Sequence, residues 1–343
     1  MNPKHRSRSA LLAAAVVAGC GGGGEDDVAT DIVAPAVTYV APANNAASVG
    51  TNSRLSVTFS KPMDAASLGA ALGLVDAHSG ERVPLGHVAY DADNRIATVT
   101  PQAPLTAERN YRAAVSDAAT DTRGNRLSGY AWAFGTAAGA DTAAPTVSSH
   151  SPASGAANVA LGAHVAMSFS EPMDAASLNG AFVLMRGTTA VPGRLAYIGQ
   201  AAAFTPDAPL APQADYVATL RRSATDLAGN GLSVDHSWAF STGTAADTAP
   251  PSVVAVTPLP DASGVPRDTL LSATFDEPIY PFVYGKIDGA VVEVSIDYRS
   301  HTVSVRPTTP LRSGGGYAAS VSAMDLSRNA MAAPFQWSFV TAP

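Results

Sequence analysis

Short runs of alternating apolar and polar residues dominate the sequence and predict β-strands. Residues 55–59 read Leu-Ser-Val-Thr-Phe, and the same alternation returns at 165–169 and at 271–275. A period of two is typical of a strand that has one buried face and one solvated face. Pro, Gly, Asn and Asp separate these runs at short intervals, which is the spacing of a β-sandwich.

Long amphipathic helical patterns are absent from the sequence. At most one helical turn is predicted after a Pro-Met-Asp segment, at residues 64–68, where Asp precedes Ala-Ala-Ser-Leu. The same five residues return at 174–178. The alternating pattern and the scarcity of helix together predict an all-β chain.

The strand pattern belongs to a unit that occurs three times. Phe-Ser-Lys-Pro-Met-Asp at 59–64 returns as Phe-Ser-Glu-Pro-Met-Asp at 169–174 and as Phe-Asp-Glu-Pro-Ile at 275–279. We place the three copies at residues 31–140, 141–246 and 247–343. A period of about 100 residues fits three complete small domains, since solenoid repeats are about 20 to 50 residues long.

Two aromatic positions recur in every copy. A tyrosine follows a Pro-Leu pair and begins an alternating strand, which predicts a tyrosine corner, with stacking on a ligand as the alternative. A tryptophan in the closing strand shares its face with a phenylalanine and is predicted to lie in the core. The tyrosines are Tyr111, Tyr216 and Tyr317, and the tryptophans are Trp132, Trp238 and Trp337.

Three motifs carry a family resemblance. Phe-Ser-Glu-Pro-Met-Asp at 169–174, Asp-Leu-Ala-Gly-Asn at 226–230 and Trp-Ala-Phe-Ser-Thr at 238–242 resemble the bacterial Ig-like domain of the S-layer-protein type. The third copy diverges, with Ile279 in place of Met and no Asp-Ala-Ala-Ser-Leu segment. The resemblance implies three tandem Ig-like β-sandwich domains on a secreted or surface-anchored bacterial protein, acting as spacers, surface-layer modules or parts of an adhesin.

The N-terminus has the pattern of a secretory signal. Three basic residues precede a short apolar run at 11–18, which is too short to span a bilayer. Val-Ala-Gly-Cys at 17–20 resembles a bacterial lipobox and contains the only cysteine, Cys20. The resemblance implies a signal peptide at 1–19, a diacylglyceryl thioether on Cys20 and a flexible tether at 20–30. By resemblance to Gram-negative lipoproteins, the absence of Asp next to Cys20 implies anchoring to the outer membrane.

Charge and composition narrow the classes of partner. The chain has a formal net charge of −7, and removal of residues 1–19 takes away three positive charges, which leaves −10. Nucleic acid is an unsuitable partner because binding phosphates requires a concentrated basic face. A single cysteine excludes an intrachain disulfide. The membrane, through acyl chains on Cys20, is the expected partner, together with a glycan or an envelope protein.

Motifs for catalysis are absent. None of the seven histidines forms a His-Glu-x-x-His pair or an i, i+4 pair, and no Gly-x-Ser-x-Gly elbow occurs. The leader and the three copies fill the given sequence. We therefore expect neither enzymatic activity nor an organic cofactor.

One set of polar residues predicts a metal site. The B–C and F–G loops of a sandwich lie at one end, near the start of the domain. Carboxylate and amide oxygens from these segments would gather at the joints between copies and would suit Ca²⁺, which takes six to eight oxygen ligands. The alternative is that these residues only form turns. Lys61 of the first copy replaces the glutamate and argues against a site there. The candidates are Asp141, Glu171, Asp226 and Asn230 at the first joint, and Asp247, Glu277, Asp325 and Asn329 at the second.

The leading functional hypothesis is a lipid-anchored structural or adhesive stalk. Pro145 and Pro251 stiffen the short linkers, so we expect three domains in line. The alternative is a binding module for surface polysaccharide or an envelope protein in the third domain, at the aromatic run 280–284, Tyr-Pro-Phe-Val-Tyr. That run could instead be a core or edge strand. Exposure of its rings would favour binding.

Overall fold

In a computed structural model of the chain, residues 31–281, 283–290 and 292–343 are described, without the side chains of Tyr284 and Glu293. Residues 33–343 form one compact unit. The strands of this part pair into six sheets, two for each repeat. The predicted all-β fold of three tandem sandwiches is confirmed.

The first repeat packs two four-stranded sheets, with strand orders β1-β3-β6-β5 and β2-β8-β7-β4. Pairing is antiparallel except between β2 and β8, which run parallel. Its elements are β1 Val37–Ala41, β2 Ala46–Val49, β3 Leu55–Phe59, α1 Ala65–Ala71, β4 Leu72–Asp76, β5 Ala89–Asp91, β6 Ile96–Val99, β7 Asn110–Val115 and β8 Tyr130–Thr136.

The second repeat has the same arrangement with one extra edge strand, in the orders β9-β11-β15-β14 and β10-β17-β16-β12-β13. Its elements are β9 Val147–Ser151, β10 Ala156–Val159, β11 Val165–Phe169, α2 Ala175–Ala181, β12 Phe182–Arg186, β13 Thr189–Ala190, β14 Gly193–Ile198, β15 Ala201–Pro206, β16 Asp215–Leu220 and β17 His236–Thr242.

The third repeat has the orders β18-β20-β23-β22 and β19-β25-β24-β21, and its described residues include no helix. This agrees with its lack of the Asp-Ala-Ala-Ser-Leu segment. Its strands are β18 Val253–Thr257, β19 Ala262–Val265, β20 Leu271–Phe275, β21 Tyr284–Ile287, β22 Val292–Asp297, β23 Thr302–Pro307, β24 Gly316–Ser322 and β25 Phe335–Thr341. Within the described ranges, no helix is long and apolar enough to cross a membrane.

The two helices are longer than predicted. Each spans seven residues, about two turns, and begins after an aspartate whose side chain accepts a hydrogen bond from the second helical amide. Asp64 caps α1 and Asp174 caps α2. Leu68 and Leu178 are fully buried, so contact with the core extends the helices beyond their local propensity.

The central strands of the first two repeats are buried on both faces, which differs from the predicted half-buried strand. All five residues of β3 and of β11 are buried. In the second repeat the cause is the third repeat, because the Tyr298 amide donates to Ser149 Oγ at 2.9 Å. Ser149 in turn lies 2.6 Å from Ser168 of β11. A neighbouring repeat therefore covers the face that alternation alone assigns to solvent.

The tyrosine corner is confirmed in every repeat. The hydroxyl of Tyr111 accepts the Thr106 amide at 2.9 Å, and that of Tyr216 accepts the Ala211 amide at 2.8 Å. Tyr317 accepts an amide at 2.7 Å from five residues upstream in the same way. The three tryptophans lie in the cores, as predicted, with 2–5% of their surface exposed.

Loss of the corner hydroxyl should destabilise the repeat that carries it. Tyr111→Phe and Tyr216→Phe leave a partly buried amide without an acceptor, so we expect each to cost about 1–3 kcal/mol. Tyr317 is only partly buried, and Tyr317→Phe should cost less because water can reach the amide. Urea unfolding of the three variants checks this order. Equal and near-zero costs at Tyr111 and Tyr216 would remove the corner as a source of stability.

The three repeats are not strictly in line, contrary to the expectation from the linkers. The Nδ2 of Asn45 in the first repeat donates to the carbonyl oxygen of Thr308 in the third at 3.4 Å. Pro145 and Pro251 stiffen the chain locally, but the angle at each joint is set by contacts between repeats.

Candidate metal centres

A short loop before the last strand of each repeat positions a buried aspartate. In the second repeat one carboxylate oxygen of Asp226 accepts the amides of Ala228 at 2.7 Å and Asn230 at 2.9 Å. Its other oxygen accepts the Asn230 side-chain amide at 2.9 Å. Asp and Asn form such turns because their side chains bond backbone a few residues away.

The third repeat builds the same loop. Asp325 accepts the amides of Ser327 and Asn329, both at 2.8 Å, and the Asn329 side chain at 2.6 Å. Asp226 and Asp325 are only 1% and 0% exposed, so their charges are held away from bulk water.

Two clusters of three carboxylates lie at the joints. Oxygens of Asp141, Glu171 and Asp226 lie within 4.8 Å of one another at the first joint. Asp247, Glu277 and Asp325 form the equivalent cluster at the second joint. The structure thus brings together the six carboxylates singled out from the sequence, three at each joint.

The side chain of each asparagine in the predicted set donates hydrogen bonds to two aspartates of its cluster. The Asn230 amide nitrogen, besides its bond to Asp226, donates to the Asp141 carbonyl at 3.2 Å. Asn329 makes the same bond to the Asp247 carbonyl at 3.2 Å. Their amide nitrogens cannot bind a cation, so in this arrangement the asparagines position the carboxylates.

Proximity changes the acidity of the glutamates. Burial, followed by the charges of Asp226 and Asp141, raises the pKa of Glu171 from 4.5 to about 7. Burial and the charges of Asp325 and Asp247 raise the pKa of Glu277 to about 7 as well. Three carboxylates at one spot resist full ionisation, and a bound cation would relieve that repulsion.

The first repeat has the same loop, but a lysine side chain supplies a positive charge beside it. Lys61 stands where the other repeats have glutamate, and its ammonium lies 3.8 Å from Asp121. Burial acts to raise the pKa of Asp121, but hydrogen bonds from Asn125 and Arg123 and the charge of Lys61 outweigh it and lower that pKa. By contrast, burial raises the pKa of the equivalent Asp325.

Without a metal, the glutamates should make the protein less stable as pH rises from about 4.5 to about 7. In that range the folded chain keeps protons on Glu171 and Glu277 that the unfolded chain has lost, so each pH increase favours unfolding. Glu171→Gln with Glu277→Gln removes this contribution. Its stability advantage over wild type, measured by urea unfolding in chelator, should therefore grow across the window. An advantage that stays constant or shrinks with pH would contradict the raised pKa values.

Both clusters adjoin a cavity through which an ion could enter. A cavity of about 560 Å³ is lined by Asp141 and Glu171, and one of about 580 Å³ by Asp247 and Glu277. The buried aspartates of the clusters, Asp226 and Asp325, do not line these cavities. The arrangement therefore offers charge, oxygen donors and access at one place.

Other residues singled out from the sequence are placed differently. Cys20 lies outside the described residues. In the aromatic run 280–284, Tyr280 is 7% exposed and packs in the core of the third repeat. Phe282 and the side chain of Tyr284 are not described. Tyr280 thus takes the core alternative and offers no exposed ring to a ligand.

The sequence interpretation missed several positioning residues. Asn52 binds the backbone of Asp141 in both directions, with its oxygen 2.8 Å from the amide and its nitrogen 3.0 Å from the carbonyl. Tyr197 accepts the Met173 amide at 2.7 Å and supports the segment between Glu171 and Asp174. These contacts join distant segments. The difference between Asn52 and Gly162 could have pointed to the first, and the recurrence of Tyr197 as Tyr90, which accepts the Met63 amide at 2.8 Å, to the second.

The fold and the repeated loop define a protein of tandem Ig-like β-sandwiches. The sequence profile of the bacterial Ig-like domain family matches residues 31–136, 141–242 and 247–341. The chain therefore belongs to the bacterial Ig-like domain family, as its motifs indicated. No curated protein matches the chain.

The chain is similar to many solved structures. The S-layer protein rSbsC(31-844) is 13% identical, with 90% of this chain and 54% of that chain covered and a TM-score of 0.27. The human desmocollin-1 ectodomain is 11% identical, with 79% and 54% covered and a TM-score of 0.22. The chain thus spans about half the length of these structures, and the assignment rests on the family match.

Proposed function

We propose that this is a non-enzymatic, lipid-anchored protein of the bacterial cell envelope that serves as a structural or adhesive stalk. The observation that carries the proposal is the tandem arrangement. Consecutive family-matched segments are separated by only residues 137–140 and 243–246. Each repeat closes its own sandwich, and backbone contacts at the joints hold adjacent repeats together.

Anchorage is assigned to acyl chains on Cys20, in the outer membrane. Cys20→Ser should move the protein from the membrane fraction to the soluble fraction and abolish incorporation of labelled fatty acid. The reason is that the acyl chains proposed to anchor the protein are attached to Cys20. Gly23→Ser, in the tether, is the matched control and should stay in the membrane. Wild type without label, or Cys20→Ser protein that remains in membranes, would contradict the anchor.

We also propose that the two joint clusters bind Ca²⁺. The support is the donor set, which offers three carboxylates at each joint and suits a hard cation. The first repeat supports it further, since Lys61 provides positive charge near the equivalent Asp121. Bound calcium would tie the start of a repeat to two of its own loops and so stiffen the joint.

An adhesive role implies a ligand, for which we propose a surface polysaccharide or an envelope protein that contacts the third repeat. Because Tyr280 is buried, this contact would not use its ring. Pull-down with the Cys20→Ser form, with and without residues 247–343, tests the proposal. Equal capture by both forms would exclude the third repeat.

A further inference from the structure

The two joints share one backbone contact. The Arg54 amide of the first repeat donates to the Leu227 carbonyl of the second at 3.0 Å. At the equivalent place, the His164 amide of the second repeat donates to the Leu326 carbonyl of the third at 3.0 Å. Positions 54 and 164, each directly before a central strand, therefore face the next repeat.

The side chains at these positions have different partners. Arg54 forms an ion pair with Asp174 of the second repeat. His164 packs edge-on against the ring of Tyr280 of the third repeat, with the ring centroids 5.0 Å apart. Asp174 and Tyr280 occupy the same repeat position, five residues after the phenylalanine that ends the central strand. Both members of the pair thus change together, from ionic at the first joint to aromatic at the second.

His164 is enclosed by burial and by a neighbouring positive charge, both of which disfavour a charged imidazole. It is 3% exposed, and its Nδ1 lies 2.8 Å from the Thr205 hydroxyl. The ionisable groups that face it from the third repeat are Tyr280 and Arg328, and none of its contacts within the described residues is with a carboxylate. Burial, followed by the Arg328 charge, lowers the pKa of His164 from 6.5 to about 4.

We propose that the contact between the second and third repeats is an acid-released interface that closes only around neutral His164. The contact between the first and second repeats is held by an ion pair and remains closed over the same pH range. The third repeat is therefore a partner that the second repeat binds near neutral pH and releases in mild acid.

The direction of the pH dependence follows from the linkage between protonation of His164 and closure of the joint. An imidazole whose pKa is lower in the closed joint than in the open one favours closure at neutral pH, and that preference is lost as pH falls below 6.5. With values of 6.5 for the open joint and about 4 for the closed one, the ratio of closed to open joints should fall about twenty-fold between pH 7 and pH 5.

A disulfide across the second joint provides the control for this experiment. A Cβ built on Gly162 would lie 4.0 Å from the Cβ of Ser327, which is within the range of disulfides. Cys20→Ser removes the only natural cysteine. Gly162→Cys with Ser327→Cys in that background can then lock the joint on oxidation and free it on reduction.

Small-angle scattering of the full mature chain between pH 7 and pH 4.5, in constant chelator, tests the proposal. The radius of gyration of the reduced protein should rise as pH falls, whereas that of the oxidised protein should stay constant. His164→Gln should not show the acid-dependent rise. A radius that does not change in the reduced protein, or a rise that persists in His164→Gln, would overturn the proposal.

Exchange of the pairs provides a second, independent test. His164→Arg alone should open the joint at pH 7, because it buries a cation beside Tyr280 and Arg328. His164→Arg with Tyr280→Asp transplants the pair of the first joint and should restore closure at both pH 7 and pH 5. A double variant as open as the single one would contradict the role assigned to the pair.

Discussion

Calcium should stabilise the wild-type chain against unfolding, by about 2.7 kcal/mol per site at a free concentration a hundred times the dissociation constant. The physical reason is the repulsion among three carboxylates within 4.8 Å at each joint, which a divalent cation would cancel. Binding near pH 7 should also release protons, since Glu171 and Glu277 have pKa values of about 7. Calorimetry in two buffers of different ionisation enthalpy measures this release.

The first repeat supplies the matched control for calcium binding. Glu171→Lys with Glu277→Lys places at both joints the residue that the first repeat has at position 61. The variant should lose the calcium response and be more stable than wild type in chelator, because each ammonium neutralises its cluster. A wild-type chain whose unfolding midpoint is the same in calcium and in chelator would leave the clusters as turn-forming residues only.

Asp226→Ala should destabilise the second repeat by about 3–5 kcal/mol. The substitution leaves three donors without their acceptor, namely the amides of Ala228 and Asn230 and the side chain of Asn230. Hydrogen bonds to a charged group contribute about 1.5–3 kcal/mol each, and partial access of water reduces the total. Urea unfolding in chelator measures the cost without any contribution from a metal.

Two further substitutions separate the hydrogen bonds from the charge. Asp226→Asn keeps an acceptor oxygen and should cost less than Asp226→Ala. Asp207→Ala changes an exposed aspartate of the same repeat and should cost less than about 0.5 kcal/mol. A cost below about 1 kcal/mol for Asp226→Ala would show that the loop holds its shape without the aspartate.

The features predictable from the sequence are those encoded locally and repeated. The alternation at 55–59 and its returns identified the central strands, because burying one face of a strand requires a period of two. The Asp and Asn of the loop at 226–230 identified a turn, since their side chains bond nearby backbone. The clustering of Asp141, Glu171 and Asp226 followed from the sandwich topology, which brings those loops to one end.

The features that sequence reasoning missed depend on contacts between repeats. Burial of both faces of β11 results from Tyr298 of the third repeat, which is far away in the chain. The contact of Asn45 with Thr308 likewise depends on the angles of two joints, which linker composition does not determine. The ion pair of Arg54 with Asp174 joins positions with no local relationship. Only a position-by-position comparison of the repeats reveals that equivalent positions carry arginine in the first repeat, Arg54, and histidine in the second, His164.

The intact mass of the protein extracted from the envelope tests the proposed function most directly. We expect the mature chain to begin at Cys20 and to carry the added mass of a diacylglyceryl group and an amide-linked acyl chain, all on its N-terminal peptide. A chain of unmodified mass, or one that begins elsewhere with an unmodified Cys20, would contradict a lipid-anchored stalk of Ig-like domains.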